Sequence, residues 1–118
     1  MADDVVIFHN KSCSKSRGAL QILQDAGVEP EVVLYKQAPP DRATLERLVD
    51  LVDAPPSELV RRDPGFAEAG LTADDVQTAE QVVDVLLAHP ELMQRPIVLR
   101  GDRAVIGRPP ENVEALLD

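Results

Sequence analysis

The feature that most constrains the fold is a strand–helix–strand pattern within the first 35 residues. Val5–Phe8 is a β-branched and aromatic run of strand length, and Glu31–Tyr35 is a second one. Between them, apolar residues recur at helical spacing and stop before Gly27: Ala19, Leu20, Ile22, Leu23 and Ala26. Such a unit crosses over right-handedly, which predicts two parallel strands. The mostly apolar second strand further predicts burial on both faces of the sheet.

The middle of the chain is predicted to be helical, as an insert at about residues 40–92. Asp41 can cap one helix, and Thr78 can open a capping box for another. Pro55–Pro56 interrupts the pattern between them, and residues 57–62 are predicted to form a short helix.

The last quarter of the chain returns to strand. Ile97–Leu99 and Ala104–Ile106 flank Gly101-Asp102, a two-residue hairpin signal, and a final helix is predicted to start at Pro109-Pro110. A βαβ unit, a helical insert and a ββα unit are the arrangement of a thioredoxin-like domain. We therefore predict a single α/β domain over residues 1–118, with a mixed four-stranded sheet covered by helices.

Composition excludes several classes of protein. One cysteine cannot form an internal disulfide or a multi-cysteine zinc or iron–sulfur site. A net charge of −9 and only three aromatic residues argue against a nucleic-acid partner. No apolar run approaches the roughly 18 residues that span a bilayer, and the acidic start Met1–Asp4 is unlike a signal peptide. We expect a cytoplasmic protein with a reduced thiol and no membrane partner.

The polar segment His9–Arg17 is predicted to lie between the first strand and the first helix, at the sheet edge where open α/β folds bind ligands. Cys13 is placed at or just before the first helical turn, where backbone N–H groups and the helix dipole stabilise a thiolate. Three of the 12 basic residues of the chain lie in a stretch of seven positions inside this segment: Lys11, Lys15 and Arg17. His9 could act on the thiol by hydrogen bonding or as an imidazolium. We predict a reactive thiol rather than a buried structural cysteine.

The segment lacks the residues of three well-known cysteine motifs. Cys13 and Ser16 form C-x-x-S rather than a dithiol, so an external thiol must release any covalent or oxidised intermediate. A phosphatase-type C-x5-R loop would need arginine at position 19, which is Ala19. His9 and Cys13 alone cannot complete a zinc site, and we predict no metal.

Two distant arginines lie at the ends of predicted strands, where isolated arginines are usually solvated, and the placement before Pro96 makes Arg95 the stronger candidate to approach the thiol. Arg95 precedes Pro96 before the third strand, and Arg108 precedes Pro109 after the fourth. In a thioredoxin-like fold the residue before the first of these prolines faces the thiol, and that X–Pro bond is commonly cis. Arginines around a low-pKa thiol suit a planar or tetrahedral oxyanion held by bidentate hydrogen bonds.

Four motifs follow one another along the chain: His9-Asn10 with Cys13–Arg17, Gly27–Pro30 with Leu34-Tyr35, Arg95–Val98, and Ile106–Glu111. With these motifs the chain resembles the glutathione- and glutaredoxin-coupled arsenate reductase family over essentially its whole length. The Ser-Lys-Ser that follows the cysteine is similar to the short bacterial branch of that family.

The resemblance implies that Cys13 is the nucleophile that attacks the arsenic of arsenate, and that His9 helps to keep the thiol ionised. It implies three arginines that bind the arsenate oxygens: Arg61, Arg95 and Arg108. Arg62, the neighbour of Arg61, stays an alternative for the first of them. Four further residues are candidates for a supporting role: Asn10, Lys15, Ser16 and Arg17.

The resemblance also implies the co-reactants. Glutathione, as a co-substrate, attacks the arsenic adduct, glutaredoxin helps to complete the reduction to arsenite, and no cofactor stays bound. The family usually has proline two residues before the cysteine, where this chain has Lys11. Lysine there predicts a more mobile loop, an added positive charge and an effect on catalytic efficiency.

Two other functions stay open. One is a non-enzymatic interaction module, similar to the thioredoxin-like regulators that bind RNA polymerase, although those commonly carry C-x-x-C where this chain has Ser16. The other is a glutathione-dependent thiol reductase with an organic substrate, since one fold and one thiol can serve several thiol-transfer reactions. Nothing in the sequence demands an oligomer, so we expect a monomer.

Overall fold

The sheet is built from four short strands in the computed structural model, which describes residues 4–117. They are β1 (Val5–Phe8), β2 (Glu31–Val33), β3 (Ile97–Arg100) and β4 (Arg103–Ile106), in the order β2-β1-β3-β4. β1 pairs with β2 in parallel, whereas the β1–β3 and β3–β4 pairs are antiparallel. The predicted mixed four-stranded sheet is confirmed. Of the acidic start, Met1–Asp3 lie outside the described residues.

Helices occupy most of the remaining chain. The α-helices are α1 (Ser14–Asp25), α2 (Arg42–Leu51), α3 (Pro64–Glu68) and α4 (Ala79–Ala88). Shorter 3₁₀ segments cover Pro56–Leu59, Ala73–Val76, Pro90–Leu92 and Pro110–Leu116. No helix within residues 4–117 is both long and apolar enough to cross a lipid bilayer.

The chain divides into two compact units. One, the sheet unit, is Met1–Ala38 with Arg95–Asp118, and the other, the helical unit, is Pro39–Gln94. The predicted insert at 40–92 falls within the helical unit. In that unit α2 packs against α4. Asp41 caps α2 by accepting the Thr44 N–H at 2.9 Å, and the predicted capping box of Thr78 is present at the start of α4.

One face of the sheet carries the core of the sheet unit. Ile7 on β1 and Val98 on β3 are cross-strand partners and are fully buried. Ala19 and Leu23, four residues apart on α1, pack against the same cluster. Burying an aliphatic side chain of this size contributes about 1.5–3 kcal/mol to folding, so this cluster fixes α1 on the sheet.

The second strand differs from its prediction. β2 ends at Val33 instead of Tyr35 and lies at the edge of the sheet, with Val32 43% exposed. The expectation of burial on both faces was therefore wrong. Burial of both faces requires layers packed above and below the strand, and an apolar run does not report whether they are present; β2 lies at the edge, with β1 as its one described neighbour.

Two predicted helices also differ. The segment 57–62 is a 3₁₀ turn that ends at Leu59, because Val60 forms an isolated antiparallel bridge with Met93 that pulls the chain into an extended conformation. The final segment is 3₁₀ throughout: its buried residues Val113 and Leu116 are three apart, which is the repeat of a 3₁₀ helix.

Candidate active site

Cys13 lies at the junction between β1 and α1. It is the N-cap residue of α1, with extended backbone angles (φ −96°, ψ 122°). Its backbone N–H donates to the Asn10 carbonyl at 3.1 Å, and its thiol is half-buried. The predicted position at the first helical turn is therefore confirmed, and the free N–H groups of that turn face the sulfur.

The pKa of the Cys13 thiol reflects two opposing effects. Burial alone would raise it, but the backbone N–H groups of Ser16 and Lys15 and the Arg95 guanidinium outweigh burial. Together they lower the pKa from 9.0 to about 7. About half of the thiol is then ionised at pH 7, which is the state that a nucleophile requires.

We expect the alkylation of Cys13 by iodoacetamide to follow this pKa. Because the thiolate is the reacting form, the rate should rise with pH, with a midpoint near pH 7, and fall about tenfold per unit below it. Stopped-time alkylation followed by mass spectrometry measures the midpoint. A midpoint at or above about 8.5, the value of an ordinary cysteine, would contradict an activated thiol.

His9 acts on the thiol loop through Ser16. The His9 Nδ1 and the Ser16 Oγ are 2.6 Å apart, both residues are buried, and the Asn10 N–H donates to the same Oγ at 3.1 Å. Burial and the nearby charges of Lys11 and Arg17 lower the pKa of His9. The lowered pKa favours the neutral imidazole, so the structure supports the hydrogen-bonding alternative for His9 over the imidazolium. His9 instead fixes Ser16, whose backbone N–H lowers the pKa of Cys13.

The loop between His9 and Cys13 is closed by further hydrogen bonds. Asn10 accepts the Ser12 N–H on its Oδ1 at 2.9 Å, and the Arg17 guanidinium donates to the Lys11 carbonyl at 2.9 Å. These bonds constrain the backbone at Lys11. The Lys11 side chain is exposed and adds a positive charge to the loop, while the mobility expected of the loop stays a prediction.

Two guanidinium groups approach the sulfur. Arg95 hydrogen-bonds the Cys13 thiol, and Nη1 of Arg108 lies 3.9 Å from the sulfur and donates to the Arg95 carbonyl at 3.0 Å. The Arg95–Pro96 and Arg108–Pro109 peptide bonds are both cis, as predicted for the first of them.

Gly107 permits the two arginine segments to meet. Its N–H donates to the Pro96 carbonyl at 2.9 Å. A Cβ atom at this position would lie 2.7 Å from Pro96 Cγ, closer than real contacts allow, and 3.2 Å from Val113 Cγ1, which is also a tight contact. Only glycine fits this close approach, so Gly107 helps to hold Arg95 and Arg108 on one side of the thiol.

Tyr35 is a site residue to which sequence reasoning assigned no role. It follows β2, it is fully buried, and its hydroxyl lies beside the Arg95 guanidinium, whose pKa rises because bonds to Cys13 and Tyr35 outweigh burial. Among residues 4–117 no hydrogen bond of regular geometry satisfies this hydroxyl. The Leu34-Tyr35 motif had marked the position only as part of a family resemblance.

We expect Tyr35→Phe to alter the orientation of the Arg95 guanidinium without leaving a cavity in the core. The ring remains, while the hydroxyl that helps to orient the guanidinium is lost. The alkylation midpoint of Cys13 should rise by less than in a variant that lacks Arg95, and the unfolding midpoint in urea should change little. An unchanged alkylation midpoint would show that Tyr35 does not position Arg95.

Arg61 and Arg62 lie in the helical unit. Arg61 forms an ion pair with Asp63 at 2.8 Å, and both side chains are half-buried. Asp63 also caps α3 by accepting the Phe66 N–H at 3.3 Å. Arg62 is exposed. The carboxylate of Asp63 already balances the charge of Arg61, so a role of Arg61 in binding an anion stays a prediction.

The remaining supporting candidates lie on the loop and the first turn of α1. The side chains of Lys15 and Arg17 are exposed, and Lys15 contributes its backbone N–H to the sulfur. Within residues 4–117, no group of three or more His, Cys, Asp or Glu side chains is arranged to hold a metal ion. The site thus combines a nucleophilic thiolate with guanidinium groups that can receive an oxyanion.

Comparisons with known proteins identify relatives of this chain over almost its whole length. The sequence model of the ArsC family matches residues 8–116. The uncharacterized protein YfgD of Escherichia coli K12 is 42% identical over 114 residues, which is 96% of each chain. An arsenate reductase of Neisseria meningitidis is 37% identical over 116 residues, 97% of this chain and 98% of that protein.

A solved structure extends the similarity to the fold. The arsenate reductase from Vibrio cholerae superposes with a TM-score of 0.85 at 33% identity, covering 98% of both chains. The thioredoxin-like α/β fold and the family expected from the four motifs are confirmed. The chain belongs to the ArsC family.

Proposed function

We propose that this protein is an arsenate reductase in which Cys13 is the nucleophile and external thiols supply the electrons. The observation that carries the proposal is a thiol with a pKa of about 7, held against the guanidinium groups of Arg95 and Arg108. We infer arsenate as the substrate from membership of the ArsC family and from the names of the relatives.

The first step forms a sulfur–arsenic bond. Arg95 and Arg108 hold the oxygens of an arsenate anion next to the sulfur, and the Cys13 thiolate attacks the arsenic. One oxygen leaves as water after taking up a proton from solution, and arsenic stays in its +5 state. The guanidinium groups stabilise the negative charge that the other oxygens keep, which is the usual source of rate enhancement at such sites.

The later steps need thiols from outside the chain. Glutathione displaces a second oxygen as water and forms a second sulfur–arsenic bond. A glutaredoxin thiol then attacks the glutathione sulfur; a mixed disulfide forms, and the electron pair of the broken bond reduces arsenic to the +3 state. Water finally cleaves the Cys13–arsenic bond and returns the thiol. Overall, one arsenate and two thiols give one arsenite, one disulfide and one water.

The position of Ser16 supports this dependence on external thiols. It occupies the place of a resolving cysteine, and its hydroxyl is committed to His9 and Asn10. His9 is thus a positioning residue in the proposal, and Arg61 is a further candidate for the arsenate. We propose that the protein works as a monomer in the cytoplasm, where glutathione keeps thiols reduced.

An assay of the purified protein with arsenate, glutathione and glutaredoxin tests the proposal. Glutathione reductase with NADPH recycles the disulfide, and arsenite is measured separately. We expect one arsenite for each NADPH consumed, and little product when glutathione is left out. A protein with the alkylation midpoint of an activated thiol but no arsenite formation would refute the proposed substrate.

A further inference from the structure

A cleft opens beside the thiol loop in the sheet unit. Its volume is about 380 Å³, and its walls are the loop residues Asn10–Ser12 on one side and the chain after β2 on the other, including Leu34, Lys36 and Gln37. We call it the thiol-loop cleft. Its size lies within the range of roughly 300–1,000 Å³ that is usual for small-molecule sites.

The walls of this cleft fit an anionic, hydrogen-bonding ligand. Lys11 and Lys36 bring two ammonium groups, and Asn10, Ser12 and Gln37 bring amide and hydroxyl groups, whereas Leu34 is the one aliphatic residue of the lining. No acidic residue lines it, although the whole chain has 21 acidic residues against 12 basic ones. The local charge is therefore opposite to that of the chain, which attracts carboxylates.

The dimensions favour a short peptide over an inorganic ion. A cavity of about 380 Å³ exceeds the volume of a single oxyanion several-fold, and the guanidinium groups of Arg95 and Arg108 already provide a compact oxyanion site at the sulfur. An extended tripeptide spans about 10 Å, and consecutive Cα atoms are about 3.8 Å apart. Ser12, which lines the cleft, directly precedes Cys13, so the cleft lies beside the loop that carries the thiol.

We propose that the thiol-loop cleft binds the external thiol as a short thiol peptide with two carboxylates, the class to which glutathione belongs. Lys11 and Lys36 pair with the carboxylates, and the amide and hydroxyl groups of the lining bond the peptide backbone. The thiol's part in turnover rests on the proposed function, but the binding is a property of the cleft. Lys11, the departure from the family's proline, then contributes to affinity for the thiol co-substrate.

Binding of S-methylglutathione tests the proposal, because this analogue keeps both carboxylates and cannot react. Titrated into the ¹⁵N-labelled protein, it should cause saturable amide shifts at residues 9–12 and 34–37. Lys11→Gln and Lys36→Gln should each raise the Kd about threefold, and the double variant about tenfold, as expected for exposed ion pairs. The dimethyl ester of the analogue should bind the unaltered protein about tenfold more weakly.

The matched control is Arg47→Gln, which removes one positive charge from an exposed position on α2 that does not line the cleft. It should leave the Kd unchanged. Three results would overturn the proposal: no saturable shifts, equal weakening by Arg47→Gln, or equally tight competition by inorganic phosphate, which would mark a site for any anion.

The binding experiment separates this proposal from the proposed function. It needs neither arsenate nor turnover, so the cleft can bind the peptide in a protein that forms no arsenite. In an active protein, the double variant should raise the KM for glutathione about tenfold while the KM for arsenate stays within twofold. The alkylation midpoint of Cys13 should also stay in place, which shows that the thiol itself is unaltered.

Discussion

Replacement of Cys13 by serine is expected to abolish arsenite formation while leaving the fold intact. A serine hydroxyl is not ionised near neutral pH, so the nucleophile is lost, and activity should fall at least about 1,000-fold, in line with the loss of a nucleophile in other enzymes. Arsenite formation in the coupled assay measures the loss. Residual activity within tenfold of the unaltered protein would contradict a role of Cys13 as nucleophile.

The stability of the same variant provides its control. Cys13 is the N-cap of α1; the N–H groups of the first turn face its sulfur, but none of them makes a capping hydrogen bond of regular geometry with it. Serine is a favoured N-cap residue, because its hydroxyl can accept an N–H of the first turn. The free energy of unfolding in urea should therefore be unchanged or higher by up to about 1 kcal/mol. Loss of activity in a protein at least as stable as the original separates chemistry from misfolding.

Replacement of Arg95 by alanine is expected to damage the site in two ways at once. The guanidinium both lowers the pKa of the thiol and faces the proposed position of the arsenate oxygens. The alkylation midpoint should move from about pH 7 toward 9, and kcat/KM for arsenate should fall about 100- to 1,000-fold, as for the loss of one donor to a developing charge. An unchanged midpoint would contradict the contact between Arg95 and Cys13.

Two further variants show which property of Arg95 matters. Arg95→Lys keeps the charge but loses the planar fork of donors, so it should retain part of the pKa effect and little of the oxyanion binding. Arg108→Ala removes the guanidinium whose Nη1 lies 3.9 Å from the sulfur. It should weaken arsenate binding with a smaller shift of the alkylation midpoint than Arg95→Ala gives. If Arg95→Ala and Arg108→Ala shift the alkylation midpoint equally, the low pKa of Cys13 results from the positive charge around the thiol and not from a specific bond to Arg95.

The parts of the fold that depend on local pattern could be predicted from the sequence. The strand run, the helical spacing and Gly27 located Cys13 at the start of α1, and Gly27 has the positive φ of 83° that suits a residue just past a helix end. The burial of β2 could not be predicted this way, because an edge position follows from the order of the strands and not from the composition of one strand.

The site was predicted less completely than the fold, because tertiary contacts decide what each side chain does. Cys13 and Arg95 could be expected together from their places beside strand ends, whereas Arg108 was expected at the thiol only from the family resemblance. The contact of the Tyr35 hydroxyl with Arg95, and the bond between His9 and Ser16, join elements whose register only the folded chain defines.

The role of Cys13 as the nucleophile towards arsenate is tested most directly by intact-protein mass spectrometry after exposure to arsenate and glutathione without glutaredoxin. We expect an arsenic-bearing adduct on Cys13, absent from Cys13→Ser, that disappears when glutaredoxin is added and arsenite is released. Glutathionylated Cys13 with no arsenic in any species would contradict this role and would favour a thiol reductase with an organic substrate.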